Sequence, residues 1–167
     1  MSKESRPARF HHAFFVRYEG TVREIITKVG ISLPCGDYAS PDQFSTFFAV
    51  WDTGATDSVI TPKMRDVLGL ATIGKSEVYG VNSFELVDLC LIDVLLPNNV
   101  HVPQREVTVC DIGPGPADML IGMDIIQMGD FSIANYGGNT LFSFAFPPFE
   151  NPTNLYDKAN AINPKRR

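Results

Sequence analysis

The sequence predicts a mainly β domain that carries two short helices. Short apolar runs, alternating or continuous, recur along the chain and are separated by Gly, Pro and Asn, which is the pattern of strands joined by turns. A length of 167 residues suits one domain with a hydrophobic core. Hydrophobic residues make up 44% and charged residues 20% of the chain, so its body has an ordinary globular composition rather than that of a disordered or membrane protein.

The apolar runs define the predicted strands. These cover residues 13–18, 25–32, 46–51, 58–61, 77–81, 84–96, 105–109, 119–121, 131–134 and 140–145. The last two runs are separated by Asn-Tyr-Gly-Gly-Asn at 135–139, which predicts a hairpin turn because Gly and Asn accept a positive φ at little cost.

Two segments have helix signals at their ends. Residues 62–68 begin with a proline, which suits a first helical turn, and are followed by Gly69 as a stop. Residues 124–128 begin with Asp124, which we expect to be the N-cap, and are followed by Gly129. Only these two segments are predicted to be helical.

The predicted organisation is one central domain with an extension at each end. Residues 1–34 form an N-terminal extension whose strands could join a sheet between two subunits. Residues 35–146 form the domain itself, and residues 147–167, rich in Pro and Asn with a basic end, form a poorly ordered or docking tail. No second copy of any long motif is present, so the chain is not a fused pair of lobes.

The charge of the chain and its lack of targeting signals indicate which partners and which location to expect. The net charge of -5 argues against nucleic acid or an anionic membrane as the main partner. No stretch is apolar for long enough to span a bilayer. The N-terminal residues lack the apolar region and cleavage site of a secretory signal, so the expected location is cytoplasmic.

The cysteines and histidines do not predict a metal site or a cofactor. The chain has three of each, with no CxxC pair and no metal-ligand spacing between a His and another ligand type. They are Cys35, Cys90, Cys110, His11, His12 and His101. We expect the thiols to be buried and inert, and His101 to lie in a loop. Serine and cysteine hydrolase chemistry lacks support because there is no GxSxG elbow.

The segment with the most specific chemistry is Asp52-Thr53-Gly54-Ala55, which follows the apolar strand 46–51. Gly54 permits a sharp turn, and the Thr53 hydroxyl can hydrogen bond within a crowded junction. Two carboxylates that share a proton have pKa values driven apart, so that one can activate water while the other donates a proton. Because the triplet Asp-Thr-Gly occurs once, Asp52 could form such a pair only with its twin in a homodimer.

Two further motifs follow in order. Leu120-Ile121-Gly122 ends an apolar strand on a glycine that would let two backbones pass closely. Between the two motifs, Tyr79-Gly80-Val81 begins a turn between two strands, whose tip could close over a bound peptide. Each motif alone also fits an ordinary strand or hairpin.

Together these motifs resemble the retropepsins, the retroviral type of aspartic protease, over residues 44–144. The resemblance implies a closed β-barrel with one lobe per chain, a homodimer, a polypeptide substrate and no cofactor. It implies that Asp52 is catalytic, that Thr53, Gly54 and Ala55 form the active-site loop, and that Tyr79, Gly80 and Val81 form the substrate-binding flap. Leu120, Ile121 and Gly122 would be the structural second motif.

The chain departs from the viral pattern at two positions. Thr56 and Met123 stand where the viral enzymes usually carry an acidic residue and its arginine partner, so that ion pair is lost without leaving an unpaired charge. The expected core anchors of the loop are apolar residues on either side of it, namely Phe48, Val50, Val59 and Ile60. The alternative function is a dimeric module on the same fold that binds a peptide or protein without cutting it.

Overall fold

The computed structural model describes residues 10–36, 40–79 and 84–163, and these contain ten strands and three α-helices. The strands are β1 (His12–Tyr18), β2 (Ile25–Ser32), β3 (Ser45–Trp51), β4 (Val59–Ile60), β5 (Thr72–Tyr79), β6 (Phe84–Leu96), β7 (Val100–Val109), β8 (Met119–Ile121), β9 (Asp130–Tyr136) and β10 (Asn139–Phe146). The helices are α1 (Pro62–Leu68), α2 (Met123–Ile126) and α3 (Leu155–Ile162).

Six of these strands close into a barrel. They are neighbours in the order β2, β3, β8, β4, β7 and β6, and β5 extends the sheet beyond β6. The barrel closes because β2 also pairs with β6, from Gly30 opposite Leu95 to Ser32 opposite Asp93. The closed β-barrel expected from the sequence is therefore confirmed.

The path of β8 determines where the Asp52 loop lies. Strand β8 lies between β3, to which it is parallel, and β4, to which it is antiparallel. Trp51 at the end of β3 is opposite Ile121, and Val59 at the start of β4 is opposite Leu120. The segment that joins β3 to β4 therefore passes over the end of β8.

The other three strands form a second sheet in the order β1, β10, β9. The predicted hairpin joins β9 to β10, and Gly137 and Gly138 at its tip have φ values of 59° and 78°, as a tight turn of this kind requires. The predicted N-terminal extension supplies one strand to each sheet, since β1 pairs with β10 and β2 is a barrel strand.

Two strands begin well before their predicted starts, and for this reason His101 lies in a strand rather than a loop. Strand β5 begins at Thr72 and β7 at Val100, each five residues before the predicted start. His101 therefore lies on β7 opposite Leu95 of β6, and its predicted loop position is wrong. Pro103 and the positive φ of Gln104 (51°) look like loop chemistry, but they belong to an irregularity in the β6–β7 pairing.

The helices agree with the prediction at α1 and differ elsewhere. The Thr61 hydroxyl caps α1 by accepting the Met64 N–H at 3.2 Å, and Gly69 ends it with a φ of 62°. The expectation that Asp124 is the N-cap of the second helix is wrong, because α2 begins at Met123 and Gly122 is the residue before it.

A third helix was not predicted. The segment expected to be a poorly ordered tail contains α3, whose N-terminus is capped by the Asn154 side chain accepting the N–H groups of Tyr156 (3.0 Å) and Asp157 (3.4 Å). Among the described residues, no helix has the length and apolar character needed to cross a membrane.

Candidate active site

Asp52 lies at the start of a short turn that leaves the barrel. Its backbone N–H donates to the Ile121 carbonyl at 2.9 Å, which ties the loop to β8. Its side-chain Oδ1 accepts the Gly54 N–H at 2.8 Å, and its carbonyl accepts the Ala55 N–H at 3.3 Å. Asp52 as a whole is half-buried, while Thr53 and Gly54 are exposed. The turn therefore presents one oriented carboxylate at the surface of the barrel.

Trp51, the residue before Asp52, anchors the loop in the core. Its indole Nε1 donates to the Thr27 hydroxyl at 2.9 Å, and its ring packs among aromatic residues of the second sheet. These neighbours are Phe14, Phe131, Phe142 and Phe144. Because β3 alternates, Trp51 and Ala49 face inward, and Phe48, which we expected to be a core anchor, is 42% exposed. Of the other expected anchors, Ile60 is fully buried.

Gly122 lies directly beneath the loop. A Cβ atom at this position would come within 2.6 Å of the carbonyl carbon and oxygen of Asp57 and within 3.1 Å of the Ala55 carbonyl oxygen. Its φ of -91° is open to any residue, so the glycine is needed for space rather than for conformation. The two backbones cross here as closely as the sequence motif predicts.

Backbone hydrogen bonds hold the loop against α2. The Met123 N–H donates to the Ala55 carbonyl at 2.9 Å, and the Asp124 N–H donates to the Thr56 carbonyl at 3.1 Å. Thr56 and Met123, the two positions that depart from the viral pattern, thus connect the same two segments through their main chains.

A buried serine completes this connection. Ser58 is fully buried, and its hydroxyl accepts the Gly122 N–H at 3.1 Å and donates to the Asp124 Oδ1 at 2.7 Å. Burial raises the pKa of Asp124, and the hydrogen bond from Ser58 opposes that rise in part. The Ser58–Asp124 pair was not predicted, since the sequence pattern assigns Ser58 to a strand and Asp124 to a helix cap.

The predicted flap lies only partly within the described residues. Strands β5 and β6 form an antiparallel hairpin in which Tyr79 is opposite Phe84, so residues 80–83 join the two strands. Gly80 and Val81 lie outside the described part of the chain. The hairpin itself is present in the predicted order, between the Asp52 loop and β8.

Potential metal ligands group at another place in the fold. The side chains of Cys35, Asp93 and His101 have ligand atoms within 4.8 Å of one another. The spacing of these residues in the sequence predicts no metal site, and it is the fold that brings their side chains together. Cys35 lies 58 positions before Asp93, and although Asp93 and His101 are 8 positions apart, no short motif indicates that the barrel brings the three residues together.

Comparison with solved structures agrees with the architecture. The chain is similar to a retropepsin-like aspartic protease from Rickettsia conorii, with 13% identity and a TM-score of 0.51, over 87% of this chain and 99% of that chain. The EIAV protease complexed with the inhibitor HBY-793 matches at 20% identity over 63% of this chain and 86% of that chain, with a TM-score of 0.46. The retroviral protease-like domain of Ddi1 from Leishmania major matches at 15% identity over 69% and 91%, with a TM-score of 0.39.

No protein-family model matches the chain, and no curated protein matches its sequence. The Rickettsia conorii structure shows that the chain has the retropepsin-like fold. The resemblance stated from the motifs is confirmed at the level of the fold.

Proposed function

We propose that the chain is an aspartic endopeptidase that is active as a homodimer. Asp52 and the partner's Asp52 would form the catalytic pair that activates water for attack on a peptide carbonyl. The observation that carries the proposal is the position of Asp52, a half-buried residue whose carboxylate is oriented by the Gly54 N–H in a loop that crosses closely over Gly122. This arrangement lies on a retropepsin-like fold.

The chemistry requires two carboxylates because one must be ionised while the other is protonated. Two carboxyl groups within hydrogen-bonding reach cannot both ionise easily, so the pair shares one proton. The ionised member removes a proton from water as it attacks the carbonyl carbon, and the protonated member donates to the carbonyl oxygen. A proton then passes to the leaving nitrogen as the C–N bond breaks, so the reaction consumes one water molecule. Thr53, Gly54 and Ala55 would hold the two loops in register at the two-fold axis.

The substrate we propose is an extended polypeptide. The flap residues Tyr79, Gly80 and Val81 would hold it as an added strand above the loop, so that main-chain hydrogen bonds supply affinity and side-chain pockets supply preference. Leu120, Ile121 and Gly122 would support the Asp52 loop from below. Side-chain carboxylates and water suffice for this chemistry, so no cofactor enters the proposal. A cytoplasmic location stays a prediction.

The test is cleavage of a peptide library from acidic to neutral pH by the wild-type chain and by Asp52→Asn. We expect the cleavage rate to fall by at least about a hundredfold in the variant, because general acid–base catalysis by the pair is lost. The matched control is Asp111→Asn. Asp111 Oδ1 accepts the Gly113 N–H at 2.9 Å, the same local turn that Asp52 makes with Gly54, so this control repeats the chemical change at an equivalent turn.

Two outcomes would contradict the proposal. Cleavage that is equally fast in Asp52→Asn would assign the activity to another group or another protein. Peptides that bind to the wild-type chain and are recovered intact at every pH would instead favour the non-catalytic binding module.

A further inference from the structure

We propose that Cys35, Asp93 and His101 form a binding site for a zinc-type divalent cation. The site lies where β2 pairs with β6 to close the barrel, and it is separate from the Asp52 loop. Ser32, at the end of β2, pairs with Asp93, and its neighbour Ile31 pairs with Ser45. Ser45 begins β3, whereas Trp51 and the Asp52 loop lie at the other end of that strand. The length of β3 therefore separates the two sites by roughly 20 Å, at about 3.3 Å per residue.

The distances between the ligand atoms fit one small ion. Asp93 Oδ2 lies 3.2 Å from Cys35 Sγ and 3.2 Å from His101 Nε2. In a tetrahedral zinc site, bond lengths of about 2.0 Å to O and N and about 2.3 Å to S place neighbouring O and N atoms about 3.3 Å apart and O and S atoms about 3.5 Å apart. Two of the three distances are therefore close to those of such a site, and the third, between Cys35 Sγ and His101 Nε2, is no more than 4.8 Å.

The carboxylate is fixed in place before any ion binds. Asp93 is fully buried, and its other oxygen, Oδ1, accepts the Gln104 N–H at 2.8 Å. Gln104 reaches this position with a φ of 51°, a left-handed conformation that costs energy for a residue other than glycine. Because the neighbouring N–H orients Oδ1, Oδ2 points at the thiol and the imidazole. This is the kind of outer support that metal-ligating carboxylates have.

The other two ligands are oriented by their own neighbours. The Cys35 N–H donates to Asp93 Oδ2 at 3.1 Å, and the Ser32 hydroxyl lies 3.5 Å from Cys35 Sγ. The His101 ring meets the edge of the Phe44 ring, with centroids 5.9 Å apart. Both side chains therefore face Asp93 from opposite segments of the barrel.

The ligand set and its surroundings favour zinc. A thiolate, an imidazole and a carboxylate suit a borderline-soft ion, whereas calcium and magnesium prefer oxygen ligands only. A thiolate and a carboxylate together balance the two positive charges of the ion, which offsets the cost of a fully buried Asp93. A surface depression of about 420 Å³ is lined by residues that include Ser32, Cys35 and Gln43, so open space lies next to one of the three ligands, Cys35.

The position of the site indicates what a bound ion would do. β2 and β6 pair only from Gly30 to Ser32 on the β2 side, and this short ladder closes the barrel. An ion held by Cys35 after β2, Asp93 on β6 and His101 on β7 would tie these three segments together. Metal binding would therefore stabilise the folded barrel, since the unfolded chain has no preformed site.

The test uses the full chain, stripped of metal by a chelator and titrated with zinc or cobalt(II). We expect one ion per chain, a cobalt absorption spectrum with thiolate-to-metal charge transfer, and a rise in the unfolding temperature with added zinc. In Cys35→Ser and His101→Gln, zinc affinity should fall by more than about a hundredfold, the upper end of the loss seen when only a supporting residue is removed. The matched controls are Cys110→Ser and His12→Gln, which should bind as the wild-type chain does.

Several results would overturn the site. They are a wild-type chain that binds no zinc, cobalt bound without thiolate absorption, and unchanged affinity in Cys35→Ser and His101→Gln. If either variant does not fold, the cobalt spectrum of the wild-type chain decides alone. All of these readouts are independent of peptide cleavage, so they stand whether or not the proposed protease activity is found.

Discussion

At the scale of single residues, Gly122 is where the fold leaves no room for a side chain. The atoms that a Cβ would meet at 2.6 Å belong to the backbone of Asp57, which cannot rotate aside as a flexible side chain can. We expect Gly122→Ala to lower the free energy of unfolding by about 1–3 kcal/mol, because two chain segments must separate. The same shift should move Asp52 and reduce peptide cleavage. Denaturant unfolding measures the first effect.

The control for this substitution is Gly115→Ala. No atom lies within 4 Å of a Cβ at Gly115, and its backbone is outside the left-handed region. We expect its free energy of unfolding to change by no more than about 0.5 kcal/mol, as for other surface positions. Equal stability of Gly122→Ala and Gly115→Ala would mean that the loop and β8 do not cross closely in solution.

Asp124 gives the site a pH dependence whose sign follows from burial. Burial raises the pKa of this carboxyl above its unfolded value, so the folded chain holds the proton more tightly than the unfolded chain. The wild-type free energy of unfolding should therefore decrease as the pH rises through the folded pKa. Asp124→Asn has no such proton and keeps an oxygen to accept the Ser58 hydroxyl, so its stability relative to the wild type should increase over that pH window.

Unfolding by denaturant at a series of pH values measures this difference. Asp124→Ala is the control, because it removes both the charge and the acceptor of the Ser58 hydrogen bond. It should be less stable than Asp124→Asn at every pH, by about 1–3 kcal/mol for a buried hydroxyl left unsatisfied. A wild-type chain that gains stability over Asp124→Asn as the pH rises would contradict the raised pKa.

These residues also mark what a sequence can and cannot predict about a site. Asp52 and Gly122 were predicted because each lies in a short motif whose chemistry is local. The Ser58–Asp124 hydrogen bond joins residues 66 positions apart, and Cys35 and Asp93 are 58 positions apart. A single serine in a strand, or a single cysteine after a strand, is not part of a local sequence pattern from which its partner could be identified.

At the scale of elements, strands were predicted where periodicity was undisturbed. The predicted bounds of β2, β6 and β8 agree with the structure, because each is a continuous or alternating apolar run. β7 was predicted too short because Pro103 is a poor strand residue, yet the irregular pairing with β6 accommodates it. α3 was missed because the Pro, Asn and Lys residues around it indicated a poorly ordered tail, although Asn154 is a favourable N-cap residue.

At the scale of the whole molecule, closure of the barrel could not be predicted from local pattern. It depends on the pairing of β2 with β6, and both strands would look the same in an open sheet. The family resemblance supplied that step, and the similarity to the Rickettsia conorii protease supports it. The resemblance also implies that the functional unit is a dimer rather than a single chain. A single chain has one Asp52, so the proposed chemistry belongs to two chains.

Mixing subunits tests whether two Asp52 carboxylates act together. In an equal mixture of wild-type and Asp52→Asn chains that exchange freely, half of the wild-type chains pair with an inactive partner, so cleavage per wild-type chain should fall to about half at constant total concentration. The control mixture contains Asp111→Asn in place of Asp52→Asn, and its cleavage per chain that carries Asp52 should equal that of the wild type, since each of its sites keeps both Asp52 carboxylates. Cleavage per Asp52-carrying chain that is the same in both mixtures would mean that one Asp52 is sufficient, and the two-chain mechanism would be wrong.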